Sequence, residues 1–237
     1  MKQMDHATLM MAGLPDLPDM GLVPQASVRR ETSEAGLYGR IFKRVLDLTL
    51  LAMSLPIVLP IVAAFALALW LEGGQPFYRQ NRLGRNGRVF RILKLRTMVR
   101  DAEASLAAHL NADPALRKEW DETQKLKHDP RITPVGHLLR ATSLDELPQL
   151  WNVLIGDMSL VGPRPMMVTQ AALYGRMDDY NALRPGITGL WQVGERNESS
   201  FCKRAVFDET YRAELSFGGD LKILLRTIPA VLRGTGY

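Results

Sequence analysis

The chain has very few residues that could make a disulfide or a zinc site. Its 237 residues include one cysteine, Cys202, and four histidines. A single cysteine excludes an internal disulfide and is typical of a protein from a reducing compartment. No histidine stands at a zinc-ligand spacing from Cys202 or beside it, where it could activate the thiol. The sequence therefore gives no sign of a zinc centre or of a cysteine nucleophile.

The first 40 residues lack both a hydrophobic run and a periodic pattern. Met, Pro, Asp and Gly recur through residues 11–20, and no core-facing side can be drawn from them. No apolar stretch follows the first residues, so this region does not resemble a secretory signal peptide. We expect residues 1–40 to form a disordered tail on the cytosolic side.

Charge of one sign is in modest excess. Thirty Lys and Arg residues stand against 25 Asp and Glu residues, which gives a formal net charge of +5. A basic balance favours an anionic partner, such as nucleic acid, a phosphorylated substrate or a membrane surface. The length is sufficient for one domain of good size with attached segments.

Residues 45–71 form a long apolar run, which indicates a membrane segment. As a straight helix at about 1.5 Å per residue it would be about 40 Å long, against about 30 Å for the hydrocarbon core of a bilayer. A soluble core helix of this length would carry a polar face, and this run has none. Pro56 and Pro60 lie near its middle, where each removes a backbone donor and predicts a break. Asp47 follows Arg44 by three residues, which predicts an ion pair within the helix.

Basic residues flank the run on both sides. They are Arg40, Lys43 and Arg44 before it, and Arg79, Arg82, Arg85, Arg88, Arg91 and Lys94 after it. A helix that spans the membrane once is basic mainly on its cytoplasmic side. Two basic flanks favour a segment that enters and leaves by the same face, while a proline-kinked spanning helix is the alternative. The Arg-rich stretch could bind lipid headgroups or a diphosphate, or it could be a solvated loop without a ligand.

Two adjacent carboxylates, Asp145 and Glu146, stand at the start of a predicted helix. Apolar residues at offsets of three and four follow them, and Pro148 is tolerated only in a first turn. The positive end of the helix dipole stabilises ionised carboxylates and attracts phosphate there. The same pattern also fits a capping box, in which Ser143 and Glu146 serve only the helix end.

Two arginines near this pair are candidate phosphate ligands. Thr133 and Pro134 predict the start of a short helix that ends at Arg140, just before the acids, although Arg140 could also serve only the helix dipole. Further on, prolines flank Arg164 on both sides and fix the backbone that presents its guanidinium. These prolines are Pro163 and Pro165.

The remaining patterns predict a mostly α-helical fold with a few short β-strands. Glycines at 84 and 87 indicate a turn before a strand at 89–95, and residues 101–127 favour helix with an interruption at Pro114. Apolar residues of 221–232 follow helical spacing with basic residues off the stripe. Such a helix could lie in a membrane interface or pack on the domain core. Trp191 is expected to be a core residue.

Several of these stretches, in this order, closely resemble the bacterial sugar transferases. These are monotopic polyprenyl-phosphate hexose-1-phosphate (phosphoglycosyl) transferases. The matching motifs lie at residues 43–47, 79–98, 129–133, 142–152, 158–165, 184–193 and 220–225, and the resemblance covers residues 41–237. The compact length is similar to that of members that initiate exopolysaccharide synthesis.

The resemblance implies a covalent mechanism. Asp145 would take a hexose 1-phosphate from a nucleoside-diphosphate sugar, a UDP-sugar of galactose or glucose, with release of UMP. Glu146 would assist polyprenyl (undecaprenyl) phosphate as it discharges the phospho-sugar aspartate. Mg²⁺ is the implied cofactor, positioned in part by Asp145, and Arg140 and Arg164 would bind phosphate.

The resemblance also implies a membrane topology. Residues 41–72 would form a re-entrant helix broken near Pro56 and Pro60, and residues 73–237 a catalytic domain with interfacial amphipathic helices on the cytoplasmic face of the bacterial inner membrane. The residue before Pro60 is Leu59, where the family has serine. Membrane lipids are implied partners, a homodimer is plausible, and nucleic acid is not expected.

Two other classes of protein remain alternatives. A membrane-anchored basic binding module would share the net charge but would need no adjacent acids at a helix start. A direct-displacement glycosyltransferase would release a nucleoside diphosphate instead of a monophosphate. The adjacent acids at 178–179 lack the spaced Asp-x-Asp arrangement that often binds a metal and nucleotide in such enzymes.

Overall fold

The computed structural model describes residues 36–123, 126, 128–194 and 201–232. The predicted tail at 1–40 therefore lies outside the described residues up to position 35. A π-helical turn at Tyr38–Phe42 leads directly into the first long helix. The described chain is mostly helical with a few short strands, as the sequence predicts.

Ten α-helices and four strands make up the described regular structure, together with short 3₁₀ segments. The helices are α1 Lys43–Leu71, α2 Ala102–Ala112, α3 Pro114–Thr123, α4 Pro134–Thr142, α5 Leu150–Ile155, α6 Ala171–Tyr174, α7 Asp178–Ala182, α8 Leu190–Val193, α9 Arg204–Ala213 and α10 Phe217–Leu232. The strands are β1 Phe77–Leu83, β2 Val89–Leu95, β3 Ser159–Val161 and β4 Gly186–Thr188. The 3₁₀ segments are Arg85–Gly87, Leu144–Gln149, Val168–Gln170 and Phe201–Lys203. Strands β1 and β2 pair antiparallel, and β3 and β4 pair parallel.

Helix α1 is the one helix of the described residues that is long and apolar enough to cross a membrane. Counted with the turn before it, the candidate segment is Tyr38–Leu71, within which an 18-residue window has a mean hydropathy of 2.5. The helix runs without interruption through Pro56 and Pro60. The large side chains near these prolines, Met53, Ile57 and Leu59, are exposed. The break that the sequence predicts at Pro56 and Pro60 is therefore not observed in the helix.

The N-terminal half of α1 is bonded to the domain, and the predicted ion pair within the helix is wrong. Arg44 donates instead to the carbonyl oxygens of Val153 and Leu154, at 2.6 and 3.0 Å. Asp47 is buried and accepts from the hydroxyl of Ser159 at 2.7 Å and the amide of Leu160 at 3.0 Å. The partners of Arg44 and Asp47 lie far away in the sequence, so a pattern of neighbouring residues could not predict them.

The C-terminal half of α1 contacts the same domain. Arg96 donates to the Leu69 carbonyl oxygen at 2.9 Å, and Leu69 packs in a buried cluster with Leu95 and Leu139. The corresponding cluster near the start of the helix joins Leu51 to residues that include Phe90, Ile92, Val153 and Met158. Strand β2 thus supplies residues to both clusters, so both halves of α1 return to one strand of one domain.

Strand β2 and the turn before it form as the sequence predicts, and β1 completes a hairpin with them that was not predicted. Strand β2 has the predicted bounds, and the Gly84 to Gly87 stretch makes the turn. Asn86 and Gly87 both have positive φ, 59° and 70°, a conformation that glycine and asparagine tolerate best. Cross-strand partners share one face of the hairpin, and one such pair is Arg82 and Phe90. Phe90 is buried, so Arg82 lies on the inward face.

Helix α4 begins as predicted and packs closely on the segment that follows β2. The Thr133 hydroxyl accepts from the Gly136 amide at 3.0 Å, and Pro134 occupies the first turn. The helix extends to Thr142, two residues beyond the predicted end. Gly136 lies against the backbone of Thr97, and a Cβ at this position would collide with the Thr97 carbonyl group.

We expect Gly136→Ala to destabilise the fold because no flexible side chain can yield to the new methyl group. The cost should be about 1–3 kcal/mol, the usual range for overpacking. Thermal unfolding of the purified protein measures it. Gly218→Ala is the matched control, since nothing lies within 4 Å of a Cβ at Gly218. Equal unfolding temperatures for the two variants would contradict this packing.

Helix α10 contains the predicted amphipathic stripe, but the stripe does not pack on the core as a unit. Ile223 is buried beside Val161, Leu183 and Tyr211, whereas three residues of the stripe are exposed. These three are Leu221, Leu225 and Ile228, with exposed fractions of 41%, 59% and 56%. Packing on the core therefore accounts for only one side of this helix.

Candidate active site

Asp145 and Glu146 lie in the first turn of the 3₁₀ helix Leu144–Gln149, which continues into α5. Ser143 separates this helix from α4 and has the left-handed conformation, with φ of 57°. The sharp turn at Ser143 allows one helix to follow the other directly. The Ser143 side chain makes no capping hydrogen bond, so the capping-box interpretation is wrong. The Glu146 carboxylate is engaged elsewhere.

Lys94 of strand β2 binds both carboxylates. Its Nζ lies 2.7 Å from Glu146 Oε1 and 3.7 Å from Asp145 Oδ2. The side chains of Asp145 and Glu146 are only 13% and 17% exposed, so little solvent screens these contacts. The ion pairs connect the acidic 3₁₀ helix to the hairpin, and they hold the ammonium group of Lys94 close to both acids.

Asn152 connects α5, which continues the acidic helix, to β2. This residue is buried, and its side-chain amide forms hydrogen bonds with the backbone of the strand. The side-chain nitrogen donates to the Arg91 carbonyl oxygen at 2.8 Å, and the side-chain oxygen accepts from the Leu93 amide at 3.0 Å. Lys94 is the next residue of the strand. The amide of Asn152 therefore helps to fix the position of Lys94 relative to the acids.

Arg164 reaches the site from the rigid loop after β3. Its guanidinium donates to Glu146 Oε1 at 3.3 Å, so Lys94 and Arg164 share one carboxylate oxygen. Pro163 and Pro165 are buried, and the Pro163 carbonyl oxygen accepts from the Gly186 amide at 2.8 Å. The prolines thus anchor the loop, and Arg164 is the residue of this turn that can touch a ligand.

Arg140, the other arginine predicted from the sequence, also lies at the site. Its Nε donates to the Thr97 hydroxyl at 3.0 Å, which fixes the side chain at the end of α4. Asp145 is the opposing charge that acts on it most strongly, and Arg140 in turn lowers the pKa of Asp145. The structure therefore brings together both predicted acids and both predicted arginines, with Lys94 as a fifth member.

The two carboxyl groups differ in their pKa values. Burial raises the pKa of Glu146, but Lys94 and Arg164 outweigh burial and lower it to about 2. Burial raises the pKa of Asp145 above its usual range, and the Lys94, Arg140 and Arg164 charges offset this only in part. Glu146 is therefore a fixed anion held by two cations. Asp145 is the more basic and less tightly bound carboxylate, which is the property that a nucleophile requires.

A reaction in which Asp145 is the nucleophile should have an acid limb above the ordinary pKa of an aspartate, which is about 3.9. Only the ionised carboxylate can attack, so the rate should fall as the pH drops through the raised pKa. In Arg140→Gln the limb should move to higher pH, because a charge that lowers this pKa is lost. Single-turnover rates across the acidic range measure the limb. Arg176→Gln, which removes an exposed arginine elsewhere, should leave it in place, and an unmoved limb in Arg140→Gln would contradict the assignment.

The side chains of this site could hold a divalent cation only together with ligands from the substrate phosphates and water. Among the described residues, no group of three or more His, Cys, Asp or Glu side chains could hold a metal ion. Three cationic side chains also surround the two acids. Mg²⁺ in proteins is often held by one or two carboxylates together with substrate phosphates and water. Asp145, whose closest described cation is 3.7 Å away, is the carboxylate that fits this arrangement.

Lys94 was not predicted as a site residue, although the strand pattern contains a signal for it. Along β2, Phe90 and Ile92 are buried, and Lys94 follows them at the same alternation. A lysine on the inward face of a strand is unusual and calls for an opposite charge nearby. The cross-strand register places Arg82 on the same face. Alternation could therefore have revealed both cations.

Comparisons with known proteins place the chain in a family. The family model for the bacterial sugar transferases matches residues 38–234. The chain is 46% identical over 198 residues to a UDP-galactose-lipid carrier transferase of Erwinia amylovora, covering 83% of this chain and 42% of the relative. It is 40% identical to the exopolysaccharide production protein ExoY of Sinorhizobium fredii, with 88% and 93% covered.

A third relative is the UDP-glucose:undecaprenyl-phosphate glucose-1-phosphate transferase of Caulobacter vibrioides. It is 42% identical over 200 residues, which cover 80% of this chain and 69% of the relative. The chain thus spans less than half of the Erwinia protein but nearly all of the Sinorhizobium one. The match of the family model across almost the whole described chain shows that this protein belongs to the bacterial sugar transferase family.

Proposed function

We propose that the protein transfers a hexose 1-phosphate from a UDP-sugar to undecaprenyl phosphate, and so begins the assembly of an exopolysaccharide or a related glycoconjugate. The observation that carries the proposal is the buried Asp145–Glu146 pair surrounded by Lys94, Arg140 and Arg164. Phosphoryl transfer depends mainly on positioning and on stabilisation of phosphate charge. This site offers a nucleophile together with both of those functions.

In the first step, an oxygen of Asp145 attacks the sugar-bearing phosphorus of the donor. The bond from that phosphorus to the bridging oxygen breaks, and the bridging oxygen leaves with the nucleoside monophosphate. Arg140, Lys94 and Arg164 are close enough to Asp145 to affect its pKa, so they can also bind the oxygens of the phosphate under attack. Bound Mg²⁺ would offset the charge of the diphosphate.

In the second step, an oxygen of the lipid phosphate attacks the same phosphorus and releases Asp145. The lipid phosphate is already ionised, so no base is required to activate it. Glu146, with a pKa of about 2, is a weak base. Its assistance consists in holding Lys94 and Arg164 in position while the phosphates exchange.

The acceptor is dissolved in lipid, and the arrangement of α1 supports a site at the membrane surface. Both halves of α1 contact one domain, through Asp47 and Leu51 on one side and Leu69 on the other. A helix that crossed the bilayer would carry its two ends to opposite faces. We infer that α1 enters and leaves by the cytoplasmic face of the inner membrane. The exposed stripe of α10 would lie in the interface.

This topology predicts that both ends of α1 are accessible from the same side. In a Cys202→Ser background, cysteines introduced at exposed Gly36 and Gln75 bracket the helix. An impermeant maleimide should label neither in intact cells and both after permeabilisation. Cys202 in the unmodified protein provides a control for the catalytic domain, because it is exposed. Labelling of only one bracketing position from outside would show that α1 spans the membrane.

The transferred group distinguishes the proposal from the two alternatives. A UDP-sugar labelled with ³²P on its sugar-bearing phosphate should pass its label to undecaprenyl phosphate, with unlabelled UMP released. A direct-displacement glycosyltransferase would leave the label in UDP, and a binding module would give no product. UDP-galactose and UDP-glucose are the first donors to test, since relatives are named for each.

A further inference from the structure

Three arginines, one of which is Arg164, lie close enough together for their charges to interact. Arg164 contacts Glu146, and its charge acts on both Arg82 of β1 and Arg204 of α9. Arg82 is linked to the same loop through a hydrogen bond to the Pro165 carbonyl oxygen at 3.3 Å. We call Arg82, Arg164 and Arg204 the arginine cluster. Like charges close together disfavour one another's charged form, and a nearby anion offsets this effect.

Two aromatic rings pack against Arg204. The guanidinium lies 4.0 Å from the ring centroid of Trp191 and 4.5 Å from that of Phe201. Rings beside a guanidinium occupy its faces, so hydrogen bonds must come from the N–H groups in its plane. The Nε atoms of both Arg204 and Arg82 are buried and have no hydrogen-bond partner among the described residues. Buried donors normally have a partner.

The charges of the protein do not fully balance the cluster. Burial, and then Arg164, lowers the pKa of Arg82, and the same two causes lower the pKa of Arg204 to about 10. Asp208 is an acid near Arg204, but its carboxylate accepts its hydrogen bond from Tyr174. Burial raises the pKa of Asp208 to about 7, so it is only partly ionised at neutral pH.

We propose that Arg82 and Arg204, together with Arg164, bind the phosphate of the donor that leaves as the nucleoside monophosphate. This inference rests on the proposed function and adds to it the site of the leaving group. Arg164 belongs to both parts of the centre, because it contacts Glu146 and its charge acts on Arg82 and Arg204. The two phosphates of one diphosphate are joined by a single oxygen and therefore need adjoining sites.

The chemistry of the leaving group explains the need for this charge. Before the reaction, the nucleoside-bearing phosphate of a nucleotide sugar carries one negative charge. When the bond to the bridging oxygen breaks, that oxygen keeps the electron pair, and the phosphate becomes a dianion at neutral pH. Guanidinium groups held beside this phosphate by the fold would stabilise the new charge with little reorganisation. Arg82 and Arg204 would thus act on the departing group, while Lys94 and Arg140 act on the phosphorus under attack.

Binding of UMP and of uridine to the purified full-length protein tests the inference. The wild-type protein should prefer UMP, and Arg204→Gln and Arg82→Gln should each reduce the UMP-to-uridine affinity ratio by at least about tenfold, the scale of one lost charge-assisted hydrogen bond. A general structural defect would weaken both ligands and leave the ratio unchanged. Arg176→Gln is the matched control, because Arg176 is exposed and paired with Glu209 at 2.6 Å.

The outcomes separate this inference from the function on which it rests. Transfer of the labelled sugar phosphate with an unchanged ratio in both variants overturns the arginine cluster as the leaving-group site. A wild-type protein that binds UMP no more tightly than uridine overturns it as well. If Arg204→Gln does not fold because it loses its stacking, Arg82→Gln decides the matter. Absence of labelled lipid product overturns the proposed function instead.

Discussion

Asp145→Asn should abolish formation of the lipid-linked product, with a loss of about 10³-fold or more, as expected when the nucleophile of covalent catalysis is removed. The amide keeps the shape of the side chain but cannot attack phosphorus. Transfer of ³²P from the labelled UDP-sugar to undecaprenyl phosphate measures the loss. Asp121→Asn is the control, since it makes the same change on an exposed helix, where Asp121 is 64% exposed.

The fold should survive this substitution, which makes the result interpretable. Burial raises the pKa of Asp145, so the folded state already favours its neutral form relative to an exposed carboxyl group. A neutral amide removes that unfavourable burial of charge. The unfolding temperature of Asp145→Asn should therefore equal or exceed that of the wild type. Near-normal turnover in this variant would remove Asp145 from the role of nucleophile.

Lys94→Gln should cause the second largest effect, a loss of about 10²-fold or more, which is the scale for one preorganised charge at a reacting centre. Without the ammonium group, the adjacent carboxylates Asp145 and Glu146 repel each other with less compensation. Lys94 lowers the pKa of both acids, so its removal should raise both pKa values and move the acid limb of the reaction to higher pH.

Two further variants separate the charge of Lys94 from its packing. Lys94→Arg keeps the charge and should restore part of the rate and most of the position of the acid limb. Lys118→Gln removes an exposed lysine from α3 and should change neither. If Lys94→Gln kept the wild-type rate and pH profile, the ion pairs at 2.7 and 3.7 Å would have no function in catalysis.

The sequence predicted the local features of this fold well because each depends on neighbours in the chain. The cap at Thr133, the hairpin turn and the bounds of β2 follow from residue types a few positions apart. Asp145, Glu146, Arg140 and Arg164 were likewise visible, as charges at helix ends and rigid turns. The resemblance to the family then related these separate residues to one reaction.

Features that depend on distant parts of the chain could not be predicted in the same way. The partners of Asp47 lie more than 100 positions away, at Ser159 and Leu160, so an ion pair with Arg44 was the natural local prediction. The capping box failed for a similar reason, since Lys94 and Arg164 take the carboxylate of Glu146. The buried charged side chains in these examples contact groups in other helices, strands or loops, where burial strengthens the interaction.

The covalent intermediate on Asp145 is the central claim, and the intact mass of the protein tests it most directly. The purified protein is mixed with Mg²⁺ and a panel of UDP-sugars in the absence of lipid acceptor. The claim predicts a gain equal to one hexose phosphate with the correct donor, absent in Asp145→Asn and lost when undecaprenyl phosphate is added. An unmodified mass across a panel that does support lipid product formation would contradict it and indicate direct transfer.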